Sequence, residues 1–463
     1  MREPRSEEVE GRDGSAWGAR MAHMSRVLGL GVLVMLAACN DPEVILTGKR
    51  ENIRDILTEG DTQTALAEQA QTGEIPPLSL PPTRNNASWS QAIASPITRP
   101  AHPQFSSQPR LLWSVDIGEG DGKKSRITAD PVVADGSVFT LDAQTQVSAV
   151  TTSGQVLWTK DLTPENDDSS EGSGGGLAYD GGVVYVSSGF GSLTAFDAAT
   201  GAQIWRQNLQ ATATGSPSVA GDLVYIVAGD QLAWAIERDN GRIRWQLSAT
   251  NDRRNVLGAP APSISDEFVV FAFGSGEVQG AFRNGGLRLW DAQIAGRRAG
   301  FSSGLVADIT GDPIIVGDRV FVGSHAGRTV ALNLGNGERV WTAPDGPLNP
   351  IWPAGNSLFM VSDRNELLRL SAADGRRIWG VTLPFFIKDK PRRQSEIFAH
   401  HGPIVASGRL ILVSNDGFMR FFDPETGRTL GQLEMPDGAT TNPVVANGTL
   451  YVVTTKGELL AYR

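Results

Sequence analysis

The stretch Ala195-Phe196-Asp197-Ala198-Ala199-Thr200-Gly201-Ala202-Gln203-Ile204-Trp205 decides how the chain folds, because its lettering returns along most of the sequence. A small residue ends an apolar run, aspartate and glycine mark a turn, and an apolar residue leads to tryptophan. The register recurs at Ala149, Gly154 and Trp158, at Ala235, Gly241 and Trp245, at Ala281, Gly286 and Trp290, at Ala331, Gly337 and Trp341, and at Leu370, Gly375 and Trp379. A seventh copy, Phe421, Asp423, Thr426 and Gly427, carries Gly431 where tryptophan would fall, and an eighth stops at Leu460, Ala461, Tyr462 and Arg463.

Before each turn runs a two-strand pattern, as in Pro217 and Val219 ahead of the apolar string 223–227. Residues 111–463 hold eight such units of about 44 residues, the length of four short strands joined by tight turns. The pattern predicts an all-β, eight-bladed propeller with four antiparallel strands per blade. An open ring would leave sheet edges ready to pair with other chains. The last unit lacks its fourth strand, while Leu111, Leu112 and Trp113 form an orphan strand ahead of the first full unit. Pairing of these N- and C-terminal strands is expected to close the ring. Seven of the eleven tryptophans, 113, 158, 205, 245, 290, 341 and 379, keep this register. A residue recurring once per blade is read as packing between blades rather than as a ligand box.

The net charge of −10 argues against nucleic-acid binding, which concentrates lysine and arginine on one face. The lone cysteine, Cys39, excludes an intramolecular disulfide and a cysteine-based metal cluster. Arg26 precedes the apolar run 27–36, and Leu36, Ala37, Ala38 and Cys39 follow. That is a charged start, an apolar core too short to span a bilayer, and small residues before a cut. The motif resembles the bacterial lipobox, which implies cleavage before Cys39 and its acylation. Residues 1–38 are therefore read as an extended N-terminus plus signal peptide. The proline-dotted, polar stretch 39–110 is read as a lipid-anchored flexible tether, with Trp89 as the residue suited to dock on the body.

No catalytic or metal-binding residues emerge. Gly300, Ser302 and Gly304 fit the esterase elbow pattern, but the following residues lead into a short strand, not the helix that mechanism needs. The glycines at 172, 174, 175 and 176 likewise lack a following helix. His400 and His401 are adjacent, so in a strand they point to opposite faces and chelate poorly.

The repeated alanine, aspartate, threonine-glycine and tryptophan lettering resembles the pyrroloquinoline quinone propeller repeat. A lipobox, a tether and eight such blades together are similar to the BamB family, lipoproteins of the outer-membrane β-barrel assembly (BAM) complex. The resemblance implies a non-catalytic, cofactor-free scaffold anchored in the outer membrane and facing the periplasm. It implies binding to the POTRA domains of BamA, with unfolded outer-membrane proteins as clients. The family's contact loops precede the strands of two consecutive blades, which carries partner binding onto Arg254, Asn255, Val256 and Leu257, and onto Asp308. Val256 matches the second of two family leucines, whereas Leu257 stands in place of arginine and Thr310 in place of a second aspartate. The alternative is a periplasmic quinoprotein dehydrogenase dependent on the quinone. Such enzymes use a vicinal disulfide, a calcium site and a catalytic aspartate, and the first is impossible with one cysteine.

Overall fold

A computed structural model describes residues 75–229, 231–250, 259–294, 309, 311–325, 327–388 and 390–463, all within the compact unit Gly60–Arg463. The strands form eight four-stranded antiparallel sheets, seven of them running in chain order from an inner strand to an outer one. Blades 1 to 7 span 132–161, 175–208, 218–248, 263–293, 314–343, 352–382 and 400–434. Blade 8 combines 444–462 with Leu111–Asp116. As the orphan strand predicted, Leu111–Asp116 pairs with Glu458–Tyr462, setting Trp113 opposite Ala461. Arg110 and Arg463 exchange two backbone hydrogen bonds, at 2.8 and 2.9 Å, where the chain ends meet.

Blades stack face to face, so their middle strands are buried on both sides and read as continuous apolar runs. Leu223–Ala228 is buried throughout, whereas the outer strand Ile243–Ser248 alternates between exposed and half-buried. The tryptophans join one blade to the next. Trp245 Nε1 donates to the Arg283 carbonyl in the turn of the following blade at 3.2 Å, and its ring lies on Gly286 of that turn. The same pairing joins Trp113 to Gly154, Trp158 to Gly201, Trp205 to Gly241, Trp290 to Gly337, Trp341 to Gly375 and Trp379 to Gly427. Each of these indoles also donates to a carbonyl of the turn it covers.

Two details differ from the sequence reading. Gly280 and Arg369, not Ala281 and Leu370, lie across from Trp290 and Trp379. In both blades, as in blades 2, 3 and 5, the facing residue stands ten positions before the tryptophan, and Ala281 and Leu370 lie one place further along, beyond the β-bulge, across from Arg288 and Arg377. The tether expected over 39–110 also does not hold for residues 76 onward, which pack across one face of the ring and reach every blade. Asn86 bonds to blade 8 at Val445. Trp89 forms a bridge with Val133 of blade 1 and stacks on Trp352 of blade 6 at 5.9 Å. Tyr179 of blade 2 donates to Ser90, and Gln91 both donates to and accepts from Val219 of blade 3. Ser263 of blade 4 donates to Ala94, Arg99 donates to Ile315 of blade 5, and Ser407 of blade 7 donates to Pro103. Residues 76–109 are thus a plug, held by polar bonds to strand backbones rather than by a periodic apolar face.

A Cβ at Gly286, whose φ is +67°, would lie 2.5 Å from the Trp245 ring, so Gly286→Ala is expected to destabilise by about 2 kcal/mol or more. A Cβ at Gly431 would meet nothing within 4 Å, so Gly431→Ala should stay within about 0.5 kcal/mol of wild type. Urea midpoints of the two variants read the contrast. Trp89 is 4% exposed, and Trp89→Ala should cost about 3–5 kcal/mol in the same assay.

Candidate functional site

The described parts of the connections from outer strands to the next inner strands lie on the rim opposite the plug. The residues carried over for partner binding, Arg254, Asn255, Val256, Leu257 and Asp308, fall outside the described residues, as do Cys39 and Ser302. Their flanks are described. They are the strand ends of adjacent blades, Ser248 and Ser263 around the first predicted loop and Gln293 and Ile314 around the second. Asp312 staples the loop ends together: its Oδ1 accepts the Ala261 amide at 2.7 Å.

Asp130 does the same on the opposite side of the ring. Its carboxylate accepts the Asn442 amide at 2.7 Å and the Asn442 side chain at 2.8 Å, while Asn442 Oδ1 accepts from Gly402. Blade 8 is thereby tied at its inner edge to both neighbours, one of which, blade 7, carries Gly431 in place of tryptophan on its outer strand. Both aspartates sit in Asp-Pro pairs that open inner strands, a signal the sequence reading passed over as turn chemistry.

These residues line a central channel of about 480 Å³, with Trp89, Gln91 and Ile93 of the plug at one end. Burial pushes the Asp130 carboxyl up to about 6. Burial, reinforced by the Asp130 charge across the channel, pushes Asp312 up to about 7. His401 faces the channel and burial lowers it to about 4. His400 turns the other way, its ring nitrogens bonded to Ser414 Oγ at 2.6 Å and the Pro384 carbonyl at 2.8 Å. The adjacent histidines therefore point apart, as expected. The glycines at 172–176 lead into the strand Gly175–Asp180 rather than a helix.

A family model described as outer membrane protein assembly factor BamB matches residues 143–381, just over half of the chain. The chain belongs to this family. A BamB from Shewanella oneidensis is 24% identical over 381 residues, covering 80% of this chain and 93% of that protein. The crystal structure of BamB from Moraxella catarrhalis aligns with a TM-score of 0.63 at 14% identity, covering 77% of this chain and all of that one. A quinohemoprotein alcohol dehydrogenase from Comamonas testosteroni aligns nearly as well, with a TM-score of 0.62 at 14% identity, over 81% of this chain and 80% of that one. Likeness of that kind speaks to fold alone, since one propeller hosts both an assembly factor and an enzyme.

The channel lining tests whether the enzyme's class of cofactor fits. A quinone bearing three carboxylates needs cationic partners. The ionisable residues lining the channel among those described are Asp130, Asp312, His325 and His401, with no lysine or arginine. Two carboxylates would repel such a ligand, and no group of three potential metal ligands occurs among the described residues. The lining does not fit the quinone or its calcium.

The raised carboxyls give the fold a pH dependence. A carboxyl whose folded pKa lies above its unfolded value contributes stability that is full below about pH 4 and is lost as pH rises through the folded value. For Asp312 that window closes near pH 7. Asp312→Asn keeps an acceptor for Ala261 and removes the buried charge. Its melting temperature should exceed wild type at pH 8, with the difference vanishing at pH 4.

Proposed function

We infer that the chain is a non-catalytic scaffold of outer-membrane protein assembly, working as a lipoprotein of the BAM complex. The observation that carries the reading is the match to the BamB family model over 143–381, on a ring whose channel chemistry suits no quinone. A closed ring with a plugged face can do one thing well: hold rim loops in fixed relative positions for a partner.

In the finer reading, the partner is BamA and the contact is made by adjacent rim loops. Arg254, Asn255, Val256 and Leu257 supply one patch, with Val256 and Leu257 as the apolar anchor, and Asp308 meets a basic group of a POTRA domain. The Asp312 to Ala261 bond supports this, because it fixes the two loop ends against each other. Acylation at Cys39 would keep the ring at the outer membrane on its periplasmic side, where unfolded outer-membrane proteins pass.

A crosslinked pull-down from outer membranes tests the reading. Asp308→Arg should lower recovery of BamA about tenfold, whereas unchanged recovery removes Asp308 from the interface. Cys39→Ser should shift the chain from the membrane to the soluble fraction. Dye-linked alcohol oxidation after addition of pyrroloquinoline quinone and calcium would overturn the scaffold reading.

A further inference from the structure

Between blades 6 and 7 the chain leaves the ring as a narrow finger, residues 383–399. Phe386 bridges to Ile397, Phe398 donates to the Phe385 carbonyl at 2.8 Å, and Ile387 donates to Glu396 at 3.1 Å. A 3₁₀ turn, Pro391–Arg393, caps the tip. The base is fixed: Asn365 Nδ2 donates to both Pro384 and Phe398, and Ala399 donates to Asn415 Oδ1. The tip is exposed and basic. Lys388, Lys390, Arg392 and Arg393 make no ion pair with any described residue, on a chain whose net charge is −10. Beside them Ile387 and Ile397 are 41% and 44% exposed, and Phe385 and Phe386 are half-exposed and packed edge to face at 4.6 Å.

We propose that this finger is a contact site for an anionic phospholipid surface. Four cations within six residues, none of them paired with a described residue, call for an anionic partner. Exposed isoleucines and phenylalanines beside lysine and arginine make up a surface that rests at headgroup level, apolar groups in the acyl boundary and cations among phosphates. The proposal rests on the reading that Cys39 holds the chain at a membrane. Contact there would turn a ring hung on one lipidated residue into a ring held at two points, which fixes its rim relative to the membrane.

The test is co-sedimentation of the full chain carrying Cys39→Ser with phosphatidylcholine vesicles, with and without phosphatidylglycerol. Binding should rise on the anionic vesicles, fall with added salt, and drop about tenfold or more in Lys388→Gln/Lys390→Gln/Arg392→Gln/Arg393→Gln. Phe385→Ser/Phe386→Ser should show a smaller loss. Circular dichroism and melting temperature confirm folding of each variant. Equal binding of wild type and the four-cation variant overturns the proposal. So does unchanged vesicle binding combined with lost retention on a protein partner or on cell-wall sacculi. The vesicles contain no BAM component, so failure here leaves the scaffold reading standing, and loss of BamA recovery leaves the finger standing.

Discussion

The indole that lies on the next blade's turn glycine is the contact from which the rest of the ring follows. It combines a donated hydrogen bond with the burial of a large ring face, and it demands a glycine because the turn needs both a left-handed backbone and an empty space under the indole. The residue across from the indole is small in most blades for the same reason. One joint lacks it. Gly431 stands where the blade 7 tryptophan would be, and the turn that tryptophan would cover does not exist, because blade 8 is where Arg110 and Arg463 bring the chain ends together. The missing tryptophan and the terminal clasp are one feature seen from two blades, and the Gly402 to Asn442 bond ties blades 7 and 8 at their inner edge.

Rigidity of this kind explains how a ring with no fitted cofactor serves an assembly complex. The plug seals one face through contacts to all eight blades, leaving the opposite rim as the surface able to vary. Asp312 bonds the described ends of two neighbouring rim connections to each other. The ring's stability is then spent on holding loop positions, and the buried carboxylates that do so carry raised pKa values as a consequence of their place in the channel wall.

The ring was legible in the sequence because its joints are periodic: tryptophan, glycine and a small residue recur at fixed offsets, and the orphan strand at Leu111 announces the closure. The plug was not legible. Gln91, Ser95 and Arg99 bond to backbone atoms of strands more than a hundred residues away, which leaves no local period, and its prolines read as a tether. The one-residue offset at Gly280 was hidden because Ala281 supplies the same small letter one place further along, beyond the β-bulge, where it faces Arg288. Asp130 and Asp312 look like ordinary turn aspartates until the blades bring them to one channel. Arg369 reads as a surface arginine in its strand, yet it is fully buried, its guanidinium donating to Ser357, Glu425 and Pro76.

Closure of the ring by its own ends is the claim on which the fixed rim depends, and hydrogen exchange followed by mass spectrometry measures it. If Leu111–Asp116 is an integral strand of blade 8, its amides will exchange as slowly as those of Glu458–Tyr462, through unfolding of the whole ring. Fast exchange of 111–116 beside a protected 458–462 would contradict the account and leave the ring open.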